Sequence, residues 1–356
     1  MIFFNRRQPG RRRLSYIAPV TVTLFTLLLL ILSAARFYHY VKFPNVNLKG
    51  KEFIYLYIPT GTDFAGLMRI MKEKAILDNE KSFAFVAARK HYERRVKPGK
   101  YRIRDGMNNN ELVNKLRSGL QEPVKLTFQN ARTIAELAGK LGRQIEADSA
   151  SLMALFHDPS YLMRFGVNPD NVFALFIPNT YELFWNTSAK QLVAKMNAEQ
   201  KIFWNFKRRK LLDSTGMSIQ QVVTLASIVE KESNMDSEKP DIAGVYINRL
   251  RKGWPLQADP TIIFAWQDYS IKRLDSKHLK IVSRYNTYTH TGLPPGPICI
   301  PSISSIDAVL KFRRHRYMYF CAKEDFSGYH NFAVTNAEHG RNARKYQKAL
   351  DQLNIK

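Results

Sequence analysis

Tyr16 to Ala35 is a run of 20 residues without a charge, and about 20 apolar helical residues span a bilayer. Arg6, Arg7, Arg11, Arg12 and Arg13 precede it, so the positive-inside rule keeps the N-terminus cytoplasmic. Pro19 lies near the start, where a spanning helix tolerates it. A cleaved signal peptide ending at Ser33-Ala34-Ala35 is the competing reading, but the run is long for an h-region of roughly 7–15 residues. The expected arrangement is a basic cytoplasmic tail (residues 1–15) and one retained pass through the inner (plasma) membrane (residues 16–36). Everything after Phe37 then lies in the periplasm or outside.

That topology bears on the charge. The 356 residues carry a formal +25 and are 45% hydrophobic, so the chain is not disordered and can bury one or two cores. Such a charge fits nucleic acid, an anionic membrane face or an anionic wall polymer. An external domain nearly removes nucleic acid. Cys299 and Cys321 form no metal motif, and either a free or a paired state is open. No His/Cys/Asp/Glu cluster has metal-ligand spacing, and there is neither a G-x-S-x-G elbow nor a phosphate-cradling glycine loop. Neither metal nor cofactor is expected.

Residues 37–50 hold Pro44, Asn45 and Asn47 and read as a tether. Phe53 to Ile58 reads as a strand, and Phe64, Leu67, Met68 and Met71 have helical spacing. A second strand, Lys100 to Ile103, follows Pro98-Gly99, and a short helix over Glu111–Leu116 ends near Gly119. A faint echo follows: Leu126-Thr127-Phe128 then Thr133–Leu137 repeats the strand–turn–helix order of Tyr57-Ile58 then Asp63–Leu67. Helical segments are expected around Ala150–Phe156 and Ala189–Phe206, with another over Asp241 to Arg251 closed by Gly253 and Pro255. Tyr317 to Cys321 is a strand candidate, and His330 with Phe332 reads as its hairpin partner.

In the helix preceding Ser233, Val222, Leu225, Ile228, Val229 and Glu232 share one stripe at about 100° per residue, while Glu230 falls about 160° round from Glu232. A carboxylate on an apolar stripe is disfavoured in its charged form, which raises its pKa. The unpaired carbonyls of a helix C-terminus push the same way. Such a group can hold a proton at neutral pH, as a general acid must. A helix-end Glu paired with Lys239 or Arg249 fits the same spacing. Gln257 and Asp259 sit in the loop after the next helix, where Asp259 reads as a ligand-facing group or as an N-cap for the TIIFAW segment.

The segments IVEKES, VYINRLRKGWPLQADPTIIFAW and YNTYTHTGLPPGPI, with FIPNTYEL before and GYHNFAVTNAEH after, resemble the endolytic murein transglycosylases (the MltG, or YceG-like, family). The matches cover most of residues 50–350. The resemblance makes the second glutamate of E-K-E-[ST], here Glu232, the catalytic one. It also implies a small LysM-type glycan-binding module over residues 51–122. A plain α+β spacer fits that inventory of strands and short helices equally well. Asn179 stands where the family usually has Asp, which takes away a charged role for that position but leaves hydrogen bonding open.

The expected fold class is therefore α+β: a single N-terminal transmembrane helix, a LysM-like α/β module, and a mixed catalytic region over residues 123–356 with its core in 221–345. The expected activity is non-hydrolytic cleavage of MurNAc–GlcNAc bonds within peptidoglycan strands. Glu232 would protonate the leaving oxygen and then take the proton of the MurNAc C6 hydroxyl, which closes on C1 as a 1,6-anhydro end. The substrate's N-acetyl group is expected to stabilise the intermediate. Gln257, Asn286, Tyr288 and His330 are the candidate substrate contacts. Two other readings stay open. One is a wall-binding scaffold without chemistry, and the other is a hydrolytic muramidase using a second carboxylate such as Asp259. The resemblance also implies proximity to cell-wall synthases.

Overall fold

The apolar run forms the first helix, α1 (Leu14–Lys42), in a computed structural model that describes residues 14–271 and 273–352. The arginines at 6, 7 and 11–13 lie outside the described residues. From Val20 onward α1 is long and apolar enough to cross a membrane, and Leu24 to Leu32 present exposed apolar side chains.

The chain divides into two compact units, residues 1–123 and 124–356. In the first, α1 continues past the expected span because nothing breaks it before Pro44. The tether expected over residues 37–50 does not exist as a free segment. Phe37 and Tyr40 pack edge-on against Phe85 at 6.2 and 5.8 Å, and the Tyr40 carbonyl accepts a 2.9 Å hydrogen bond from Asn109 Nδ2. Val46 and Leu48 are buried, and Asn45 Nδ2 donates to Asn109 Oδ1 at 2.7 Å. Apolar residues at alternate positions pull this stretch into the unit's core.

Around that core, β1 (Phe53–Ile58) pairs antiparallel with β2 (Gly99–Arg104), and α2 (Phe64–Glu73) and α3 (Glu80–Arg89) lie between them in sequence. The helix α4 (Asn109–Ser118) follows, opened by an Asn108–Glu111 capping box and closed at left-handed Gly119. The α3 segment was not expected from the sequence, although its buried Phe83, Val86 and Ala87 have helical spacing.

The second unit begins with β3 (Pro123–Phe128) and α5 (Ile134–Gly142), capped by Thr133 as α2 is capped by Asp63. The strand–turn–helix echo therefore recurs in three dimensions. Helices α6 (Ser149–Phe156) and α7 (Pro159–Leu162) lead to β4 (Asn179–Phe184), which pairs with β3. The expected helix over 189–206 is two: α8 (Ala189–Phe203) and α9 (Phe206–Thr215), split where Asn205 caps the second.

Helix α10 (Ile219–Glu232) is the centre of this unit. Every residue from Val222 to Val229 is buried, so the helix is enclosed on all sides rather than along one stripe. It packs against α11 (Lys239–Arg251), α12 (Asp259–Trp266) and α13 (Ile303–Leu310). Between α12 and α13, the Leu293–Pro297 turn approaches so closely that a Cβ on Gly296 would lie 1.9 Å from the Asp170 carbonyl oxygen. The hairpin of β5 (Tyr319–Ala322) and β6 (His330–Ala333) sets Phe320 against Phe332 and Ala322 against His330. A final helix, α14 (Asn336–Gln352), had no counterpart in the sequence reading.

Candidate active site

Glu232 is the last residue of α10, and Ser233 leaves the helix in extended conformation. The long buried helix therefore delivers this carboxyl to a cleft of about 490 Å³. Tyr246, Arg249, Gln257, Asp259, Tyr288 and His330 share its walls.

The carboxyl has no ion pair among the described residues. The buried Tyr246 hydroxyl donates to its Oε1 at 2.6 Å. Burial raises the Glu232 pKa to about 7; the Asp259 charge adds to the rise, while the Tyr246 hydrogen bond and the Arg249 charge oppose it. A carboxylic acid in such surroundings holds its proton near neutrality.

Neither suggested ion-pair partner reaches Glu232. Lys239 pairs with Glu230 at 3.2 Å and Asp236 at 2.8 Å. Arg249 is buried, and its guanidinium donates to the Met318 carbonyl at 2.8 Å and the Leu256 carbonyl at 2.6 Å. It also lies 5.4 Å above the Tyr319 ring, which stacks on His339 at 5.3 Å. Together these residues form a cationic and aromatic wall.

Glu230 faces the other way. Its Oε2 accepts from the Ser302 and Ser305 hydroxyls and from the Ser302 N–H at the start of α13. Burial alone would raise its pKa, yet the serine hydroxyls and Lys239 together hold it below the usual carboxylate range. It ties two helices together.

His330 is fixed by a buried carboxylate that the sequence reading passed over. Its backbone N–H and its Nδ1 meet the two oxygens of Glu238 at 2.7 Å each. Glu238 itself lies one residue before α11. Tyr288 donates its hydroxyl to Asp259 Oδ1, so Asp259 is a cleft residue and not the helix cap, a position that Ala258 holds. Burial and that acceptor keep the Tyr288 pKa raised. Gln257 sits at φ 50°, an uncommon value for a residue with a side chain, and Arg249 Nη1 donates to its Oε1 at 3.4 Å.

Of the candidates, Glu232, Gln257, Tyr288 and His330 come together. Asn286 does not. It is fully buried, its Nδ2 donating to the Leu279 and Ile281 carbonyls at 2.9 Å while its Oδ1 accepts from the Tyr288 N–H at 3.0 Å. With its amide bonded on both ends, it shapes the loop that carries Tyr288. Tyr246 and Arg249 were within reach of the sequence, because a spacing of three on a helix puts both on one face. Cys299 and Cys321 are both free.

Residues 56–345 match the model of the YceG-like family. The chain belongs to the YceG-like family. It is similar to an endolytic murein transglycosylase of Bacillus subtilis (strain 168), with 26% identity over 332 residues, 89% of this chain and 91% of that protein. It is likewise similar to one from Streptococcus pneumoniae (strain ATCC BAA-255 / R6), at 24% identity over 362 residues. There the match takes in 90% of this chain but 64% of the relative. A crystal structure of a YceG-like protein from Listeria monocytogenes has 28% identity and a TM-score of 0.52, covering 82% of this chain and 99% of that one. Every cleft residue described above falls inside the region matched by the YceG-like model.

Proposed function

We propose that this chain is an endolytic lytic transglycosylase of peptidoglycan, with Glu232 as its single catalytic acid and base. The observation that carries the reading is the Glu232 carboxyl: without an ion pair among the described residues, raised in pKa, held by one tyrosine hydroxyl, and open to a cleft. Tyr246 occupies Oε1, so Oε2 is the oxygen that carries the transferable proton.

In the first step Oε2 gives its proton to the glycosidic oxygen as the C1–O bond breaks. The carboxylate left behind faces the buried Arg249 charge, which favours it. In the second step the MurNAc C6 hydroxyl attacks C1 and returns its proton to Glu232. Atoms balance without water, and the product is a 1,6-anhydro end. Gln257, Tyr288 and His330 are the proposed substrate contacts. The names of the similar proteins from B. subtilis and S. pneumoniae support this reaction class.

A hydrolytic muramidase is the second reading, because Asp259 lines the same cleft as Glu232 and could serve as a base toward water. Mass analysis of purified glycan strands after incubation separates the two. Anhydro ends support the transglycosylase, whereas reducing ends one water heavier would sink it.

α1 is proposed to anchor the protein in the inner membrane, with its N-terminus cytoplasmic and both units external. A LysM-like glycan-binding role for residues 51–122 is supported by the β1–α2–α3–β2 order and the antiparallel pairing of the two strands.

A further inference from the structure

The cleft holds a second built device besides Glu232. Glu238 is 5% exposed and has both carboxylate oxygens directed at one residue, His330. The Ser233 hydroxyl, next to Glu232, adds a long contact to the same carboxylate at 3.5 Å. A carboxylate only accepts, so Nδ1 carries a proton and donates it to Glu238. The other ring nitrogen, Nε2, has no hydrogen-bond partner among the described residues and is not sealed from solvent. Phe320 packs edge-on to the ring at 5.3 Å, on the strand opposite. The ring is thus clamped at Nδ1 and along one side, and His330 lines the cleft. A buried carboxylate that orients an imidazole in this way fixes the tautomer that a reaction needs.

We propose that Glu238 is a positioning residue that makes His330 Nε2 a hydrogen-bond acceptor for the acetamido N–H of the sugar cleaved at C1. This rests on the transglycosylase reading above. Accepting from that N–H raises electron density on the acetamido carbonyl oxygen. This oxygen attacks C1 as the glycosidic C1–O bond breaks, and the leaving oxygen takes the Glu232 proton. The N–H stays on nitrogen throughout, polarised by His330. When the C6 hydroxyl then attacks C1, the acetamido oxygen departs and the hydroxyl proton passes to Glu232. No further reactant is needed. The pair therefore makes the enzyme specific for an N-acetylated sugar on the reacting side.

The test crosses two substrates with two variants of the full-length protein in detergent. Wild type, His330→Ala and Glu238→Gln are assayed for anhydro ends on glycan strands whose MurNAc residues are acetylated or N-deacetylated. Removing the group that fixes an imidazole's tautomer lowers kcat by up to about 10⁴ in a serine protease, and about a hundredfold is expected here on acetylated strands, with KM little changed. On deacetylated strands each variant should match wild type within about threefold, because the acetamido carbonyl whose attack on C1 the pair assists is already gone. Equal losses on both substrates would overturn the proposal, as would a wild type indifferent to acetylation. Nitrogen-15 spectra of His330 give an independent reading: a protonated Nδ1 beside a bare Nε2 is expected, and a doubly protonated ring at the assay pH refutes it. Should Glu238→Gln not fold, the His330→Ala arm decides. Wild type forming no anhydro ends on either strand would instead sink the transglycosylase reading itself.

Discussion

Glu230 and Glu232 sit two residues apart at the end of one helix, and the protein drives their proton affinities in opposite directions. Glu230 is surrounded by two serine hydroxyls, a backbone N–H and an ammonium. Glu232 has one phenol and a half-enclosed cleft. The first group is held charged, and the second keeps its proton near neutrality.

Glu232→Gln keeps shape and volume but removes the exchangeable proton. Anhydro-end formation should fall to background while the melting curve stays at least as high as wild type. Glu230→Gln should keep most of its activity. Loss of charge-assisted hydrogen bonds at a buried site should lower its stability by about 1–3 kcal/mol. Product mass analysis beside thermal melts of both proteins decides the matter. A well-folded but inactive Glu230→Gln would mean that the reacting group is on the other face of α10.

Activity should depend on pH through the acid form of Glu232. Its pKa is raised to about 7, so the proton needed for the first step is present below that value and lost above it. The rate is expected to fall on the alkaline side of about pH 7, one decade per pH unit once well beyond it. A rate held level to pH 9 would be incompatible with this acid.

The same shift predicts a stability effect of definite sign. A carboxyl whose folded pKa exceeds its unfolded value binds more protons when folded, so the fold loses stability as pH rises between about 4.5 and 7. Glu232→Gln should abolish this slope and be the more stable protein at pH 8. Denaturant titrations at pH 5 and pH 8 measure it. Equal pH slopes for the two proteins would contradict the raised value.

Tyr246→Phe deletes the one hydrogen bond that favours the charged form of Glu232. The alkaline limb of the pH–rate profile should move upward, and kcat at neutral pH should drop by about tenfold to a hundredfold as the returning carboxylate loses its support. The profile of the variant is the measurement. An unmoved limb would show that the phenol only fills space.

Residues 43–123 have a core of their own. If the LysM-like reading is right, this segment should sediment with insoluble peptidoglycan, and go on doing so in 1 M salt, where the Debye length is about 3 Å. Retention confined to low salt would assign the binding to surface charge.

Most elements of the fold could be read from local pattern: the 20-residue apolar run, the capped helices and the repeated strand–turn–helix. The position of Glu232 at the end of a buried helix was likewise legible, because a helical period and a glutamate at the stripe's end are both local facts. What escaped was set by distance along the chain. Glu238 meets His330 across 92 residues, and the wall formed by Arg249, Tyr319 and His339 draws on three separate elements. Asn286 misled for a different reason. An amide in a polar loop reads alike whether it meets ligand or backbone, and only the carbonyls of Leu279 and Ile281 reveal which. Helix α3 was missed although Phe83, Val86 and Ala87 have helical spacing, because Ala84, Phe85 and Ala88 between and beyond them blur the stripe into a continuous apolar run.

α1 does not stop at the end of its apolar stretch but runs on until Tyr40 and Phe37 are seated against α3 and α4. In a bilayer, a helix joined in this way acts as a post and not as a leash. The first unit then turns only when the helix turns, and its height above the lipid follows the helical rise of about 1.5 Å per residue. Lengthening α1 by one turn between Arg36 and Phe37 would raise that unit by about 5.4 Å and rotate it by a predictable angle, a form of control that a flexible linker cannot give.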